Sequence, residues 1–262
     1  MSPRRYTSNA MKGGAMLRET LALLREWKPG TDPGVFASQV IARNTLGKAT
    51  RARMSDILRR IFFRRFTAPG APPTAQTQAM ILSGFSETVV TRLLYLHAAL
   101  ADDLLYDFAT LYLDPLYHEG RWQIDTSDGM RFIDRLIAEG AIAPPWSENI
   151  KVKTARGLLA ALRDFGLLEG RAVKTFAAAH LPLPVFVYVT YYLHDQGVVG
   201  ARLVSHPHWK LFFLTPGDVE RLFAEAHQEG HVGYYAAGGT VRVEWSYDGL
   251  ASAVRALTQA TH

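Results

Sequence analysis

At 262 residues, 48% hydrophobic and 20% charged, the chain has the composition of an ordinary globular protein and the length for two domains. It holds no cysteine, which excludes a disulfide framework, cysteine-ligated zinc, iron–sulfur clusters and a thiol nucleophile. Its net charge of +5 is local: residues 43–66 carry eight basic residues and one acid, a net +7, which leaves −2 for everything else.

Two early arginines are followed by no apolar run, so no signal peptide is expected. Residues 11–27 read as a helix, because Met16, Leu17, Leu21 (or Thr20), Leu24 and Trp27 recur at helical spacing. Lys28-Pro29-Gly30 ends it, and Thr31-Asp32-Pro33 opens a short helix over 35–43. Asn44-Thr45-Leu46-Gly47 is a turn, and Lys48 or Ala49 starts a longer helix to about Phe66. Met54, Ile57, Leu58, Ile61 and Phe62 form one apolar stripe along it. Arg53, Arg60 and Arg64 share one flank, and Arg59 and Lys48 the other. Arg65 falls beside the stripe and is expected to snorkel from the core edge. Short helix, tight turn and longer basic helix make the outline of a helix-turn-helix unit.

Residues 67–77 are a Pro- and Ala-rich loop. Helices are predicted over 78–101, interrupted near Ser83-Gly84, over 102–113, stopped by Asp114-Pro115, and over 126–139, capped by Thr126-Ser127-Asp128. Residues 87–139 hold ten acids and four arginines, a poor surface for a phosphate backbone. The Pro-containing stretch 140–149 is the expected boundary between a helical domain, 1–148, and a second domain, 149–262. A helix over 151–164 closes in Phe165-Gly166-Leu167-Leu168 and leads into a strand, which resembles the third helix and wing of winged-helix domains. The run 175–194 has no charged residue, but Pro182 and Pro184 argue for a buried helix from 184 and against a membrane span. Residues 197–214 are short and apolar, 215–228 a helix, 231–245 a β-hairpin and 248–258 a last helix. The fold class is therefore mostly α, with a helix-turn-helix-like unit in the N-terminal part and a winged-helix-like C-terminal part with short β-hairpins.

The basic helix is the strongest functional signal. Arg43, Lys48, Arg51, Arg53, Arg59, Arg60 and Arg64 are candidate nucleic-acid contacts, and arginine suits bidentate phosphate recognition. Phe63 is placed to stack a base or pack on a neighbour. Lys151, Lys153 and Arg156, with Arg163, form a second basic group. The opposing reading is a solvated helix, or one docked on the acidic 87–139 region. His206-Pro207-His208 and the His227–His231 pair do not make a metal motif, because HQEGH is not H-E-x-x-H. Asp102, Asp103 and Asp107 read as a solvated helix face. Gly13-Gly14 and Gly238-Gly239 match no phosphate loop. No nucleophile or acid–base pair is found, so neither enzyme activity nor a cofactor or metal is expected.

The order of motifs resembles the BrxA family of BREX (bacteriophage exclusion) systems. Tyr6-Thr7-Ser8, Gly13-Gly14-Ala15-Met16-Leu17-Arg18-Glu19-Thr20, Asn44-Thr45-Leu46, Ala49-Thr50-Arg51-Ala52-Arg53 and Ile57-Leu58-Arg59-Arg60-Ile61 carry the resemblance. Trp209-Lys210-Leu211-Phe212 and Val241-Arg242-Val243-Glu244-Trp245-Ser246-Tyr247-Asp248 extend it. The resemblance implies a largely helical protein with winged-helix character and DNA-binding ability, acting beside a methyltransferase, an ATPase and other BREX proteins. It supplies no catalytic residues. The expectation is a non-enzymatic component that contacts duplex DNA phosphates with low sequence specificity. Double-stranded DNA and other BREX proteins are the expected partners, with no membrane and no small-molecule substrate, in the cytoplasm. A protein scaffold and an RNA binder stay open as alternatives.

Overall fold

A computed structural model describes residues 4–12 and 14–260. Gly13, half of the Gly13-Gly14 pair, lies outside the described residues. The chain forms two compact units: Met1–Ala75 with Leu94–Ala177, and Gln76–Leu93 with Ala178–His262. The stretch 140–149 falls inside the first unit.

In the first unit a 3₁₀ turn, Ser8–Lys12, precedes α1 (Leu17–Glu26). The single helix expected over 11–27 is thus divided. Gly14 and Met16 have φ of 53° and 51°, a left-handed conformation that no α-helix passes through. α2 (Pro33–Arg43) starts on Asp32, whose carboxylate accepts from Val35 N. Asn44, also left-handed, turns the chain toward α3 (Arg51–Ile57), capped by the Thr50 hydroxyl. A π turn, Leu58–Phe62, and α4 (Phe63–Phe66) continue the same helical run. The whole predicted stripe, from Met54 to Phe62, is buried. Phe62 stacks on Phe36 at 5.7 Å, and Trp27 meets both rings edge-on at 4.8 and 5.8 Å.

α5 (Thr74–Leu82) and α6 (Glu87–Ala101) follow, separated near Ser83-Gly84 as expected. α7 (Asp103–Asp107), a second π turn (Phe108–Leu113) and α8 (Asp114–His118) then form another continuous helical run. Asp114-Pro115 was expected to stop this helix and does not. Pro115 occupies the first turn of α8, where a missing N–H costs little. β1 (Gln123–Ile124), which has no sequence signal, precedes α9 (Thr126–Ala138), α10 (Glu148–Asp164), β2 (Leu168–Gly170) and β3 (Lys174–Phe176). α9 is capped by Asp125, one residue earlier than the expected Thr126, in a reciprocal box with Asp128. The strands form an antiparallel sheet in the order β1-β3-β2, with Gln123 opposite Thr175 and Leu168 opposite Phe176. α9 and α10 approach closely at Gly129, where a Cβ would lie 2.7 Å from that of Ala155.

The second unit is built on α11 (Leu183–Asp195), buried from Val185 through Leu193. Among the described residues no helix is long and apolar enough to cross a membrane. Tyr188 Oη shares a buried hydrogen bond with Thr77 Oγ1 at 2.8 Å. The apolar stretch 197–214 becomes α12 (Ala201–Val204) and a 3₁₀ turn (Pro207–Phe212), tied together by Trp209 Nε1 donating to Leu203 O at 2.6 Å. α13 (Pro216–Gln228), a hairpin of β4 (Val232–Ala237) and β5 (Thr240–Trp245), and α14 (Leu250–Gln259) complete it. The hairpin turns on Gly238-Gly239, both at positive φ, as a two-residue connection requires.

Candidate nucleic-acid interface

The basic helix presents its solvent face through Arg51, Ala52, Arg59 and Arg60, all exposed. The π turn changes its register. One extra residue in a turn sets every later side chain back by about 100° relative to an uninterrupted α-helix. Arg64, expected in line with Arg53 and Arg60, instead donates to Ala101 O at the end of α6, at 3.3 Å. Arg53 is half-buried, and Arg60 is exposed but bound to Asp56 at 3.0 Å.

The ten candidate cations fall into distinct environments. Arg43, Arg51, Arg59, Lys153 and Arg156 are exposed and make no ion pair among the described residues. Lys48 is bound to Glu19 at 2.6 Å. Lys151 is buried and held by Asp134 at 2.7 Å and by Glu148. It stabilises the α9–α10 packing and does not face solvent. Phe63 packs 6.2 Å from Trp27 and 6.5 Å from Phe36, taking the neighbour-packing option.

Asp103 and Asp107 are not the solvated face expected of them. The N-terminal segment clasps both. Arg4 reaches Asp103 at 2.7 Å and Asp107 at 2.8 Å, Tyr6 Oη donates to Asp107 at 2.7 Å, and Arg5 N donates to Asp103 at 2.8 Å. Burial raises the Asp107 carboxyl, against the pull of Tyr6 and Arg4. Asp102 caps α7, accepting from Leu104 N and Leu105 N. Beyond the clasp, the 3₁₀ turn lies on α10 so closely that a Cβ at Gly157 would sit 2.2 Å from Ala10 O.

Arg65, expected to snorkel from the core edge, instead turns its guanidinium onto the main chain and donates to Ala15 O at 2.7 Å and Gly14 O at 3.2 Å. Two clefts adjoin the Arg64–Arg65 pair. One, about 40 Å³, is lined by Asn9, Arg60, Arg64, Arg65, Asp102 and Leu158 among others. The second, about 230 Å³, is lined by Arg64, Arg65, His97 and the loop 68–72. His97 is fully buried, with Nδ1 at 3.0 Å from Arg65 O. Burial, aided by repulsion from Arg65, pushes its pKa down to about 4 against the opposing hydrogen bond. Neither His97 nor the Arg4 clasp had a signal in residue spacing, because their partners lie far along the chain.

The histidine pairs of the second unit bond locally. His206 Nδ1 accepts from His208 N, and His227 Nδ1 accepts from Tyr234 N, each at 3.2 Å.

Among solved structures, the fold is similar to that of an uncharacterized protein from Magnetospirillum magneticum. The TM-score is 0.61 at 16% identity, over 79% of this chain and 98% of that one. No curated protein matches. The BrxA family model matches residues 4–190, well over half the length, and the segment it covers includes the N-terminal clasp, the basic helix and α10. The chain belongs to the BrxA family, a component of BREX phage-defence systems.

Proposed function

We propose that the first unit binds duplex DNA without catalysing a reaction on it, with Arg51 and Arg59 of the basic helix and Lys153 and Arg156 of α10 touching phosphates. The observation that carries this reading is charge left unpaired. The second unit has six basic and eight acidic residues, a net −2, which leaves +7 on the first. Arg43, Arg51, Arg59, Lys153 and Arg156, exposed and free of ion pairs among the described residues, lie in that first unit. Phosphate contacts of this kind dominate affinity and carry little sequence information. Topology supports the same reading. The order β1, α9, α10, β2, β3 with sheet order β1-β3-β2 is that of a winged helix. In that arrangement α10 is the groove helix and β2–β3 the wing. Lys153 and Arg156 then lie on its solvent face.

Binding to random-sequence duplex, measured against salt, tests this. The slope of log affinity against log salt is about −0.9 per phosphate contacted. Reversing Arg51 and Arg59 to glutamate reduces that slope by about two and weakens binding uniformly across sequences. A slope near zero for the unaltered protein refutes the phosphate mechanism.

A scaffold for other BREX proteins is the second reading. It is favoured by Trp122 and Leu111, large apolar side chains 70% and 53% exposed. If replacing Trp122 and Leu111 by alanine abolishes complex assembly, while reversing Arg51 and Arg59 leaves DNA affinity unchanged, the scaffold reading prevails.

A further inference from the structure

The connection between β2 and β3, Arg171-Ala172-Val173, is held shut from both sides. Gly170 pairs with Lys174 across it and takes a φ of 92°, in the left-handed region that glycine tolerates. A Cβ on Gly170 would lie 2.5 Å from Val173 O, so no side chain fits there. The Lys174 side chain is buried, and its ammonium donates to Arg171 O. Burial, then repulsion from Arg163, lowers the pKa of that ammonium against the attraction of Asp164. Arg163 and Asp164 are the last two residues of α10. A buried ammonium is costly unless it is hydrogen-bonded, and here its bond fixes the turn beside the end of α10.

The turn held in this way presents Arg171, Ala172 and Val173 to solvent, Val173 with 51% of its surface exposed. Arg171 makes no ion pair among the described residues. The nearest acid in sequence, Glu169, stands opposite Thr175, on the other face of the ladder from the Gly170–Lys174 pair. A phosphate contact would use the charge of this tip and leave its valine in water. A minor groove uses both. It is about 6 Å wide, it attracts a guanidinium most strongly where A·T pairs narrow it, and it takes apolar side chains beside that cation. We propose that the β2–β3 turn enters the minor groove of duplex DNA, with Arg171 in its narrow A·T-rich segments and Val173 against its wall. This rests on the DNA reading above and adds a preference to it. Minor-groove edges distinguish little beyond A·T from G·C, so the preference is for composition and leaves sequence specificity low.

Affinity of the full chain for three duplexes of equal length tests this. One carries A-tracts, one G·C pairs, and one the same G·C sequence with inosine in place of guanine. Inosine lacks the N2 amino group, so it changes the minor-groove edge and leaves the major-groove edge as it was. The A-tract and inosine duplexes are expected to bind about tenfold tighter than the G·C duplex. Arg171→Lys keeps the charge and the G·C affinity but loses most of that preference, because an ammonium is more strongly hydrated than a guanidinium. Arg59→Gln, on the basic helix, weakens binding to all three alike. Equal binding of the three duplexes, an inosine duplex that behaves as its G·C parent, or an undiminished preference in Arg171→Lys overturns the proposal. In each of those cases a retained salt slope leaves the DNA reading standing. If no duplex binds at all, the reading and the proposal fall together.

Discussion

His97 shows how one buried side chain sets an acid limit on the fold. It stacks on Phe66 at 4.6 Å and takes the Arg65 carbonyl at 3.0 Å, so the neutral ring is the form that fits. Its pKa is pushed down to about 4. In the unfolded chain it titrates near its ordinary value of ~6.5. Between those values the unfolded state binds more protons, so stability rises with pH through that window. The contribution is fully present above pH ~6.5 and is lost as pH falls toward 4, by up to about 3 kcal/mol. Urea denaturation of the unaltered chain and of His97→Gln, each at pH 7 and pH 4.5, measures it. The variant is expected to lose markedly less on acidification, and equal losses in both proteins would remove His97 as the cause.

At the scale of elements, the N-terminal segment and α10 form one packed pair, and Gly157 is the point of closest approach. A Cβ there would meet Ala10 O at 2.2 Å and Met11 N at 2.9 Å, both main-chain atoms that cannot swing aside. Gly157→Ala is therefore expected to cost about 1–3 kcal/mol through overpacking, despite alanine's better helix propensity. Gly217→Ala, in α13 with only Thr215 Oγ1 at 3.8 Å, is the matched control and should be neutral or slightly stabilising. Chemical denaturation separates the two, and equal effects would show that the segment yields freely. The apolar stripe from Met54 to Phe62 was legible in the sequence because 3.6-residue periodicity is a local property. So was the Gly-Gly hairpin. The π turn was not, since nothing in Leu58-Arg59-Arg60-Ile61-Phe62 distinguishes i+5 from i+4 bonding, and that single turn moved Arg64 from the predicted flank. β1 was invisible because two residues show no alternation. The clasp joins Arg4 to acids about a hundred positions away, so Asp103 and Asp107 looked solvated when read alone.

At the scale of the molecule, the order of residues and the compact units do not coincide. A composition change at 140–149 suggests a second domain over 149–262, yet α10 and the sheet through Ala177 belong to the first unit. The second unit takes Gln76–Leu93 from the other half of the chain. Within that insert Thr77, Met80 and Val89 are buried, and Thr77 satisfies the Tyr188 hydroxyl. A fragment over 178–262 leaves that hydroxyl without its partner and lacks the buried Met80 and Val89. A fragment over 149–262 further exposes Leu158, Leu159 and Leu162 of α10, which are buried in the intact chain. Both are expected to keep helical far-ultraviolet dichroism, lose the near-ultraviolet signal of their tyrosines and tryptophans, and bind a hydrophobic dye. Joining residues 76–93 to 178–262 through a flexible Gly/Ser linker should restore a cooperative thermal transition, because it returns the missing core residues. Calorimetry of the three fragments decides the matter. If 178–262 alone unfolds in one sharp transition with native near-ultraviolet dichroism, the insert is dispensable and the simple division of the chain at its midpoint regains its claim.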